Sequence, residues 1–315
     1  MRLPAGFTVG HWTDPVALTG CTVILCEGTA VAGVHVGGGA PATIQTDIIG
    51  PGSATAVLHA VLLTGGSAFG LSAYGGVMRF LEERGVGVAV RDWRVPHVAG
   101  AVIFDLMTGD GHVRPDASSG YAACRMATDD PAEGLVGAGT GGTVAKLQGG
   151  RTPGGLGIAS VRAGAATVTA VMVVNALGDV WDGERGEWVA RSTPAMASAS
   201  PGNTTIGAVL TDAKLGREAI RRVAVTAHDG LGRAIRPAHT DFDGDTIFSL
   251  AYGDTEASTV EVQAAAPLVP TAAPLGGSPR PTATSASPSW AIPRTAQLAL
   301  AGSATGCQAT PSVER

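Results

Sequence analysis

Short runs rich in β-branched residues recur along the chain, and they restrict its fold more than any other feature of the sequence. Each has the length and composition of a β-strand and adjoins glycine or polar residues. Such segments bury their apolar side chains by pairing into sheets, and sheets pack in layers. The runs are CTVIL (21–25), VAGVHV (31–36), VGVAV (86–90), TVTAVMVV (167–174), TTIGAVLT (204–211) and TIFSLAY (246–252).

Two stretches, 67–85 and 212–230, have apolar residues at helical spacing instead. Gly85 can end the first helix, while Asp212 can cap the second and Gly230 can end it. Many strands with few helices predict an α/β fold in which sheets are covered by helices. The apolar stripes are Leu71, Tyr74, Met78 and Leu81 in the first stretch, and Leu215, Ala219, Val223 and Ala227 in the second.

The composition favours a globular protein with a large core. The chain has 315 residues, enough for one large domain or two small ones, and it is 45% hydrophobic and 15% charged. That balance argues against global disorder. The net charge is −5, without basic residues interleaved with aromatic ones, so we expect no nucleic-acid partner.

The sequence predicts a cytoplasmic protein. Residues 1–14 contain no continuous apolar segment of a signal peptide, and no uninterrupted apolar run reaches about 18 residues. The cysteines form no CxxC pair and accompany no histidine cluster, so we expect reduced thiols and neither a zinc site nor a disulfide framework. They are Cys21, Cys26, Cys124 and Cys307.

The end of the chain differs in composition from the rest. Residues 264–315 are rich in proline, serine and threonine and lack a helical period. This composition is typical of linkers and disordered segments. We therefore expect residues 264–315 to be a poorly ordered tail.

The stretch PGNTTIG (201–207) places Asn203 and Thr204 where a loop enters a strand. A threonine hydroxyl needs a base to act as a nucleophile. If the bond between Asn203 and Thr204 is cut, Thr204 gains an α-amine with a pKa of about 7.7–8.0, and this amine can take the hydroxyl proton. The same hydroxyl could cut the bond by attacking the Asn203 carbonyl. From spacing alone, an ordinary loop-to-strand threonine is the better explanation, because most such threonines are structural.

Three aspartates alternate in HTDFDGDT (239–246) and suggest either a metal site or a catalytic group. The stretch resembles a calcium loop, but Gly244 comes too early in the pattern and a strand follows. In an extended segment, Asp241 and Asp243 would share one face and could orient a nucleophile. Asp245 would point the other way and serve the turn.

Lys146 and Asn175 are further candidates for a site. Lys146 lies in the glycine-rich stretch 137–150, which lacks the spacing of a phosphate loop. Such a lysine is usually a solvated charge, but near a site it would lower the pKa of a neighbouring ammonium. Asn175 ends a strand-like run, where it is either a turn residue or an oxyanion donor. No G-x-S-x-G motif supports a serine–histidine–aspartate triad.

Taken together, the motifs resemble those of the P1 family of self-processing peptidases. This family includes L-aminopeptidase/D-amino-acid esterases, β-peptidyl aminopeptidases and nylon-oligomer hydrolases. The matching stretches follow the order of the family over about residues 5–255. They are GGAPATIQTDIIGPGSA (38–54), LTGGSAFGLSAYGGVMRFLEERG (63–85), AVIFDL (101–106), VGAGTGGTVAKLQGG (136–150), NALGDV (175–180), NTTIGAVLTDAKL (203–215) and AHDGLGRAIRPAHTDFDGDTIF (227–248).

The resemblance implies a four-layer α-β-β-α sandwich that is similar to N-terminal nucleophile (Ntn) hydrolases but differs in connectivity. It implies one hydrolase domain over residues 1–263, made as a precursor. Cleavage between Asn203 and Thr204 would give an α chain (1–203) and a β chain (from 204) that stay associated. The family ends with an alanine-rich helix, whereas this chain carries the proline-rich tail from residue 264.

The resemblance also implies a role for each candidate residue. Thr204 matches the nucleophile, Asn175 the oxyanion-holding asparagine, and Lys146 a lysine near the nucleophile. Phe104, a substrate-binding position, stands where the nylon-oligomer branch has a tyrosine, so a hydroxyl contact is missing here. Two carboxylates match the pair that binds the nucleophile's terminus, namely Asp241 and Asp243.

The activity implied is hydrolysis of small peptides, amides or esters with a free amino end, through an acyl-enzyme on Thr204. No cofactor or metal is expected. The partners implied are a small substrate and further αβ units in a homotetramer, with neither nucleic acid nor membrane. Two alternatives stay open: a binding protein of the same fold that never matures, and a metal-binding protein that uses Asp241, Asp243 and Asp245.

Overall fold

The computed structural model describes residues 3–183, 185–192 and 202–268. The runs of β-branched residues form strands as predicted, and further strands lie between them. In order, the strands are β1 (Phe7–Asp14), β2 (Thr19–Val36), β3 (Thr43–Ile44), β4 (Val57–Thr64), β5 (Val88–Val90), β6 (Trp93–Val95), β7 (Val98–Val102), β8 (Thr143–Val144), β9 (Thr152–Pro153), β10 (Gly155–Ala163), β11 (Ala166–Asn175), β12 (Asp179–Asp182), β13 (Glu187–Ala190), β14 (Thr204–Ala213), β15 (Ile235–Arg236) and β16 (Thr246–Thr255).

The helices of the described residues are short, apart from one of 18 residues. Short 3₁₀ turns cover Thr46–Ile49, Leu71–Ala73, Gly137–Gly139 and Ala266–Leu268. The α-helices are α1 (Ser67–Gly70), α2 (Tyr74–Glu82), α3 (Ala117–Arg125), α4 (Arg217–Ala234) and α5 (Thr259–Ala265).

One nine-stranded sheet supplies both β-layers of the fold. Its order is β10-β11-β14-β16-β2-β4-β7-β3, with β1 also paired to β2. Strand β2 belongs to both halves, because its first part pairs with β1 and β4 and its last part pairs with β16. The pairing of β2 with β4 shifts register between Leu25 and Ala30, at the point where the strand passes from one half to the other. Most pairs are antiparallel, but β14 with β16 and β4 with β7 are parallel.

Three apolar clusters show that the two halves of the sheet are stacked and covered by helices. The central cluster joins side chains from both halves, such as Leu63 of β4 and Val171 of β11. A second cluster packs the other face of β11 and β14 against α4 and α5, and a third packs β2 and β4 against α2 and α3. The α-β-β-α sandwich predicted from the sequence is therefore confirmed.

Helix α4 begins later than the sequence predicts. Asp212 does not cap it, because β14 runs through Ala213 and the Asp212 carboxylate accepts a hydrogen bond from the Thr167 amide at 2.7 Å. The helix also passes Gly230 and ends at Ala234. A Cβ on Gly230 would lie 2.3 Å from the Pro267 carbonyl oxygen, so this glycine lets the turn after α5 pack closely on α4.

The first predicted helix is divided between α1, a 3₁₀ turn and α2. Of the predicted stripe only Leu81 is fully buried, while the buried face of α2 also includes Val77 and Phe80. Tyr74 and Met78 are partly buried and pack against the same cluster, so the predicted stripe lies at the edge of the buried face.

The first residues of the predicted tail, 264–268, are helical. Helix α5 continues to Ala265 and a 3₁₀ turn to Leu268, and residues 269–315 of the predicted tail lie outside the described residues. The thiols of Cys21, Cys26 and Cys124 are buried and free, while Cys307 also falls outside the description. Among the described residues, no helix has the length and apolar character needed to cross a membrane.

Candidate active site

The bond between Asn203 and Thr204 lies in the interior, at the start of β14. Both residues are buried, with 2% and 5% of their surfaces exposed. Strand β14 is a central strand, paired on one side with β11 and on the other with β16. Its first residue, Thr204, is opposite Asn175, the last residue of β11. Strand pairing alone therefore brings two of the predicted site residues together.

Two hydrogen bonds hold the carbonyl of the peptide group between Asn203 and Thr204, and a third holds the N–H of Asn203 in the preceding peptide group. The Thr204 hydroxyl donates to the Asn203 carbonyl oxygen. The Gly244 amide donates to the same oxygen at 2.9 Å, and the Asn203 amide donates to the Phe242 carbonyl oxygen at 3.2 Å. The hydroxyl that would attack this carbonyl therefore already contacts it in the uncleaved chain.

Asn175 is completely buried and uses both ends of its side chain. Its Nδ2 donates to the carbonyl oxygens of Phe104, at 3.1 Å, and Gly202, at 3.5 Å. Its Oδ1 accepts from the Thr143 amide and from Lys146 Nζ, both at 3.0 Å. The donating Nδ2 group therefore faces the segment that precedes Thr204, as an oxyanion donor must.

Lys146 lies in the same cluster and is buried. Its Nζ donates to Asn175 Oδ1 and to the Asn175 carbonyl oxygen at 3.1 Å. Burial, and secondarily the positive charge of Arg151, lower the pKa of Lys146 from 10.5 to about 7, against the opposite effect of the Asp243 carboxylate. Lys146 therefore differs from an ordinary solvated lysine, since a neutral amine at pH 7 can accept a proton.

Phe104 is half-buried, and its ring packs against the backbone beside the cleavage site. A Cβ on Gly202 would lie 2.4 Å from the ring, and Gly202 has a φ of +97°, a conformation that glycine adopts readily. The Phe104 carbonyl oxygen accepts from Asn175, so the backbone here contacts the site although the ring carries no hydroxyl.

The structure changes which aspartates point inward. Asp243 and Asp245 are buried, with 1% and 2% exposure, whereas Asp241 is exposed. The predicted common face of Asp241 and Asp243 is wrong, because the chain turns at residues 241–242 and the alternation of an extended strand does not apply. Asp245, predicted to face the other way and to serve the turn, is buried like Asp243 and accepts a hydrogen bond from the His239 amide at 3.0 Å.

The two buried carboxylates hold the segments on either side of the cleavage site. Asp243 accepts hydrogen bonds from the amide and hydroxyl of Thr240 and, at 3.4 Å, from the Leu177 amide. Burial and the charge of Asp245 raise the pKa of Asp243. Asp245 accepts from the Thr205 amide at 2.6 Å, directly after the candidate nucleophile.

His239 and Gly244 are site residues that the sequence reasoning missed. Asp245 accepts from His239 Nδ1 at 2.7 Å, and this contact raises the pKa of His239. Gly244 supplies the amide that binds the Asn203 carbonyl. The glycine between two aspartates was a usable signal, because a glycine beside a reactive group permits close approach of the backbone.

The described residues contain no group of three His, Cys, Asp or Glu side chains arranged to hold a metal ion. In the aspartate segment this follows from Asp241, which faces solvent while Asp243 and Asp245 bind protein groups. The arrangement instead suits acyl transfer: a hydroxyl on a carbonyl, amide donors around it and an amine of lowered pKa.

The lowered pKa of Lys146 predicts that stability rises with pH. Between pH 7 and 10.5 the unfolded chain binds a proton at this lysine that the folded chain does not, so unfolding becomes less favourable as pH rises and the effect disappears as pH falls below 7. We expect the free energy of unfolding, relative to Lys146→Met, to increase by about 2–3 kcal/mol from pH 7 to pH 9.

Urea unfolding at the two pH values would measure this, with both proteins carrying Thr204→Ala so that each is a single chain. Lys214→Met is the matched control, because the Lys214 side chain is exposed. If the difference in the free energy of unfolding between the protein with Lys146 and the Lys146→Met variant stays constant with pH, Lys146 remains charged in the folded protein.

Comparison with known proteins agrees with this geometry. The model of peptidase family S58 matches residues 5–275. An uncharacterised aminopeptidase of Mycobacterium leprae is 43% identical over 289 residues, which cover 81% of this chain and 78% of that protein. A 6-aminohexanoate-oligomer endohydrolase of Kocuria sp. is 30% identical over 280 residues, covering 81% and 75% of the two chains.

Solved structures share the fold at lower identity. The L-aminopeptidase D-Ala-esterase/amidase of Ochrobactrum anthropi, described as a variant of the Ntn-hydrolase fold, superposes with a TM-score of 0.63 at 20% identity, over 85% of this chain and 84% of that one. A β-aminopeptidase of Burkholderia sp. has the same TM-score at 22% identity, over 86% and 83%. With a family model that spans most of the chain and relatives at 43% identity, the chain belongs to peptidase family S58.

Proposed function

We propose that this protein is a hydrolase of peptide, amide or ester bonds that cleaves itself between Asn203 and Thr204 and then uses Thr204 as its N-terminal nucleophile. The observation that carries the proposal is the buried Thr204 hydroxyl in contact with the Asn203 carbonyl, which also accepts from the Gly244 amide. A hydroxyl in contact with a carbonyl that also accepts from an amide donor is the arrangement that an N→O acyl shift needs.

The two fragments of the proposed cleavage would stay together. Strand β14 begins the second fragment and pairs with β11 of the first, while β16 of the second pairs with β2 of the first. The central core contains apolar side chains from both fragments. Separating them would expose that core, so an αβ heterodimer is the expected product.

In turnover, the new α-amine of Thr204 would accept the proton of its own hydroxyl as the oxygen attacks a substrate carbonyl. Asn175 Nδ2 would hold the oxyanion, and the neutral amine of Lys146 beside it would serve proton transfer. The acyl group would pass to Thr204, the amine product would leave, and water would release the acid.

The proposed substrates are small peptides, amides or esters with a free amino end. Relatives of this chain are named aminopeptidase and 6-aminohexanoate-oligomer endohydrolase, so linear amides of amino acids, including nylon-type oligomers, are the first to assay. A carboxylate of residues 239–246 would bind the substrate ammonium, and Phe104 would line the acyl side of the site.

The assay compares p-nitroanilides of single amino acids with their N-acetylated forms on the purified full chain. We expect hydrolysis of the free-amine substrates and at least tenfold lower kcat/KM for the acetylated ones, since one buried or half-buried charge pair contributes about 1.4 kcal/mol or more. Equal rates would contradict recognition of the amino end. No hydrolysis of any amide or ester by a cleaved protein would contradict the proposed function.

The same assay separates the aspartates. Asp243→Asn should leave self-cleavage intact and lower turnover. Loss of a carboxylate near the new α-amine lowers the pKa of that amine, which makes it a weaker base. The acid limb of the pH profile of kcat/KM should therefore move to lower pH. Asp241→Asn tests the other predicted carboxylate: a similar shift would place Asp241 at the amine, and a rise in KM alone would place it at the substrate. Unchanged kinetics in both variants would remove the pair from the site.

The remaining proposals concern assembly and location. Tetramers of αβ units and a cytoplasmic location are proposed from the family resemblance. Light scattering on the cleaved protein measures the first, and fractionation of the native host measures the second. The binding protein that never matures is the competing proposal, and a single uncleaved wild-type chain would favour it.

A further inference from the structure

The uncleaved chain has two sets of amide donors near the cleavage site, and they contact different carbonyl groups. The Gly244 amide donates to the Asn203 carbonyl oxygen, the oxygen of the bond to be cut, at 2.9 Å. Both contacts of Asn175 Nδ2 are to other carbonyls, those of Phe104 and Gly202. We infer that the Gly244 N–H is the oxyanion donor for self-cleavage, distinct from the Asn175 amide that serves turnover.

The surrounding backbone fixes the Gly244 amide on this carbonyl. Asn203 forms a parallel β-bridge with Asp243, in which the Asn203 amide donates to Phe242 O and the Gly244 amide donates to Asn203 O. The Asp243 side chain is held in turn by Thr240. The donor is therefore positioned before any charge develops, which is the requirement for oxyanion stabilisation.

Only glycine allows this approach at residue 244. A Cβ there would lie 2.8 Å from Thr204 Oγ1 and 2.7 Å from the Ala40 carbonyl oxygen. Any larger side chain must displace the attacking hydroxyl or the loop that carries Ala40. Glycine is therefore required here by the lack of space beside the reacting hydroxyl. The backbone conformation does not require it, because residue 244 is not in the left-handed region.

The step balances as an N→O acyl shift followed by hydrolysis. Thr204 Oγ1 adds to the Asn203 carbonyl carbon, and the carbonyl electron pair moves onto the oxygen held by Gly244. The C–N bond then breaks, its electron pair stays on the Thr204 nitrogen, and the hydroxyl proton ends on that nitrogen. Water hydrolyses the resulting ester, which regenerates the hydroxyl and leaves a carboxylic acid on Asn203.

During this step Asn175 cannot serve as the donor without leaving its present partners. Both hydrogens of its Nδ2 group are directed to Phe104 O and Gly202 O. After cleavage, Gly202 and Asn203 become a chain end that can move, and Nδ2 then becomes free for a substrate carbonyl. Self-cleavage and turnover therefore use the same nucleophile with different oxyanion donors.

The inference rests on the proposed function, and one experiment separates their failures. Cell-free synthesis of the full chain with glycolate in place of Gly244 replaces the N–H by an oxygen and adds no side chain. The ester also weakens the Asp243 carbonyl as the acceptor of the Ala40 amide, a loss that the melting temperature reports. We expect self-cleavage, followed by intact mass over time, to slow by about 10²–10³-fold. Glycolate at Gly52, an exposed turn residue, is the control and should cleave at the wild-type rate.

Cleavage of the glycolate-244 chain at the wild-type rate would overturn the inference and leave the proposed function intact. An uncleaved wild-type chain would overturn both. The melting temperature of the glycolate-244 chain gives a second measurement: it should lie near that of the uncleaved Thr204→Ala chain. Cleavage lost only together with the fold would count against the inference, because an oxyanion donor changes the rate and not the fold.

Discussion

Thr204→Ala is expected to give a single chain of 31.4 kDa where the wild type gives two fragments that meet between residues 203 and 204. The substitution removes the hydroxyl that donates to the Asn203 carbonyl. Amidase activity should fall by more than about 10³-fold, because the same atom is the nucleophile in both reactions. Intact mass and the p-nitroanilide assay measure the two effects.

Thr205→Val is the matched control, since Thr205 is the next residue of the same strand and equally buried. Its hydroxyl has no hydrogen-bond partner among the described residues, and its amide bond to Asp245 does not depend on the side chain. This variant should cleave and turn over within a few-fold of the wild type. Thr204→Ser, which keeps a hydroxyl, should also cleave. An uncleaved Thr205→Val chain would mean that the strand start as a whole, rather than the Thr204 hydroxyl, controls processing.

The sequence was sufficient to predict the strands that pass through the centre of the sheet. Residues 167–174 and 204–211 are apolar almost throughout, as expected for strands buried on both faces, and they became β11 and β14. The pairing of these strands then places Asn175 opposite Thr204. For this pair, correct strands were enough to bring the site residues together.

The strands that were missed have a weaker local signal. Strands β1 and β10 both contain glycine and polar residues. In β1, a Cβ on Gly10 would lie 2.0 Å from the Ala123 carbonyl oxygen. This glycine is required by the packing of α3 on β1, and glycine lowers the strand propensity of a segment. Long-range packing therefore hid these strands from a local pattern.

The aspartate segment shows the same limit within the site. Alternation predicted that Asp241 and Asp243 share a face, but the turn at residues 241–242 directs Asp243 and Asp245 inward instead. The turn is fixed by Thr240, which donates from both its amide and its hydroxyl to Asp243. Spacing identifies such a group of residues, but only the three-dimensional structure shows which of them reach the nucleophile.

Asn175→Asp is expected to slow turnover much more than self-cleavage. Aspartate keeps an oxygen for the Thr143 amide and for Lys146 Nζ, but it replaces the donating Nδ2 group with an acceptor. Turnover should fall by about 10²–10³-fold, the usual loss for one oxyanion donor. Self-cleavage should slow much less, because the Asn203 carbonyl is held by Gly244.

Thr143→Val is the matched control for this variant. The Thr143 hydroxyl contacts the acceptor side of Asn175 at 3.4 Å, and the Thr143 amide keeps its own bond to Oδ1, so turnover should change little. A time course of intact mass and kcat of the cleaved fraction give both rates for each protein. If Asn175→Asp blocked cleavage and turnover equally, with the fold retained, both oxyanions would depend on Asn175. The amide would then have to leave Phe104 and Gly202 before the first bond is cut.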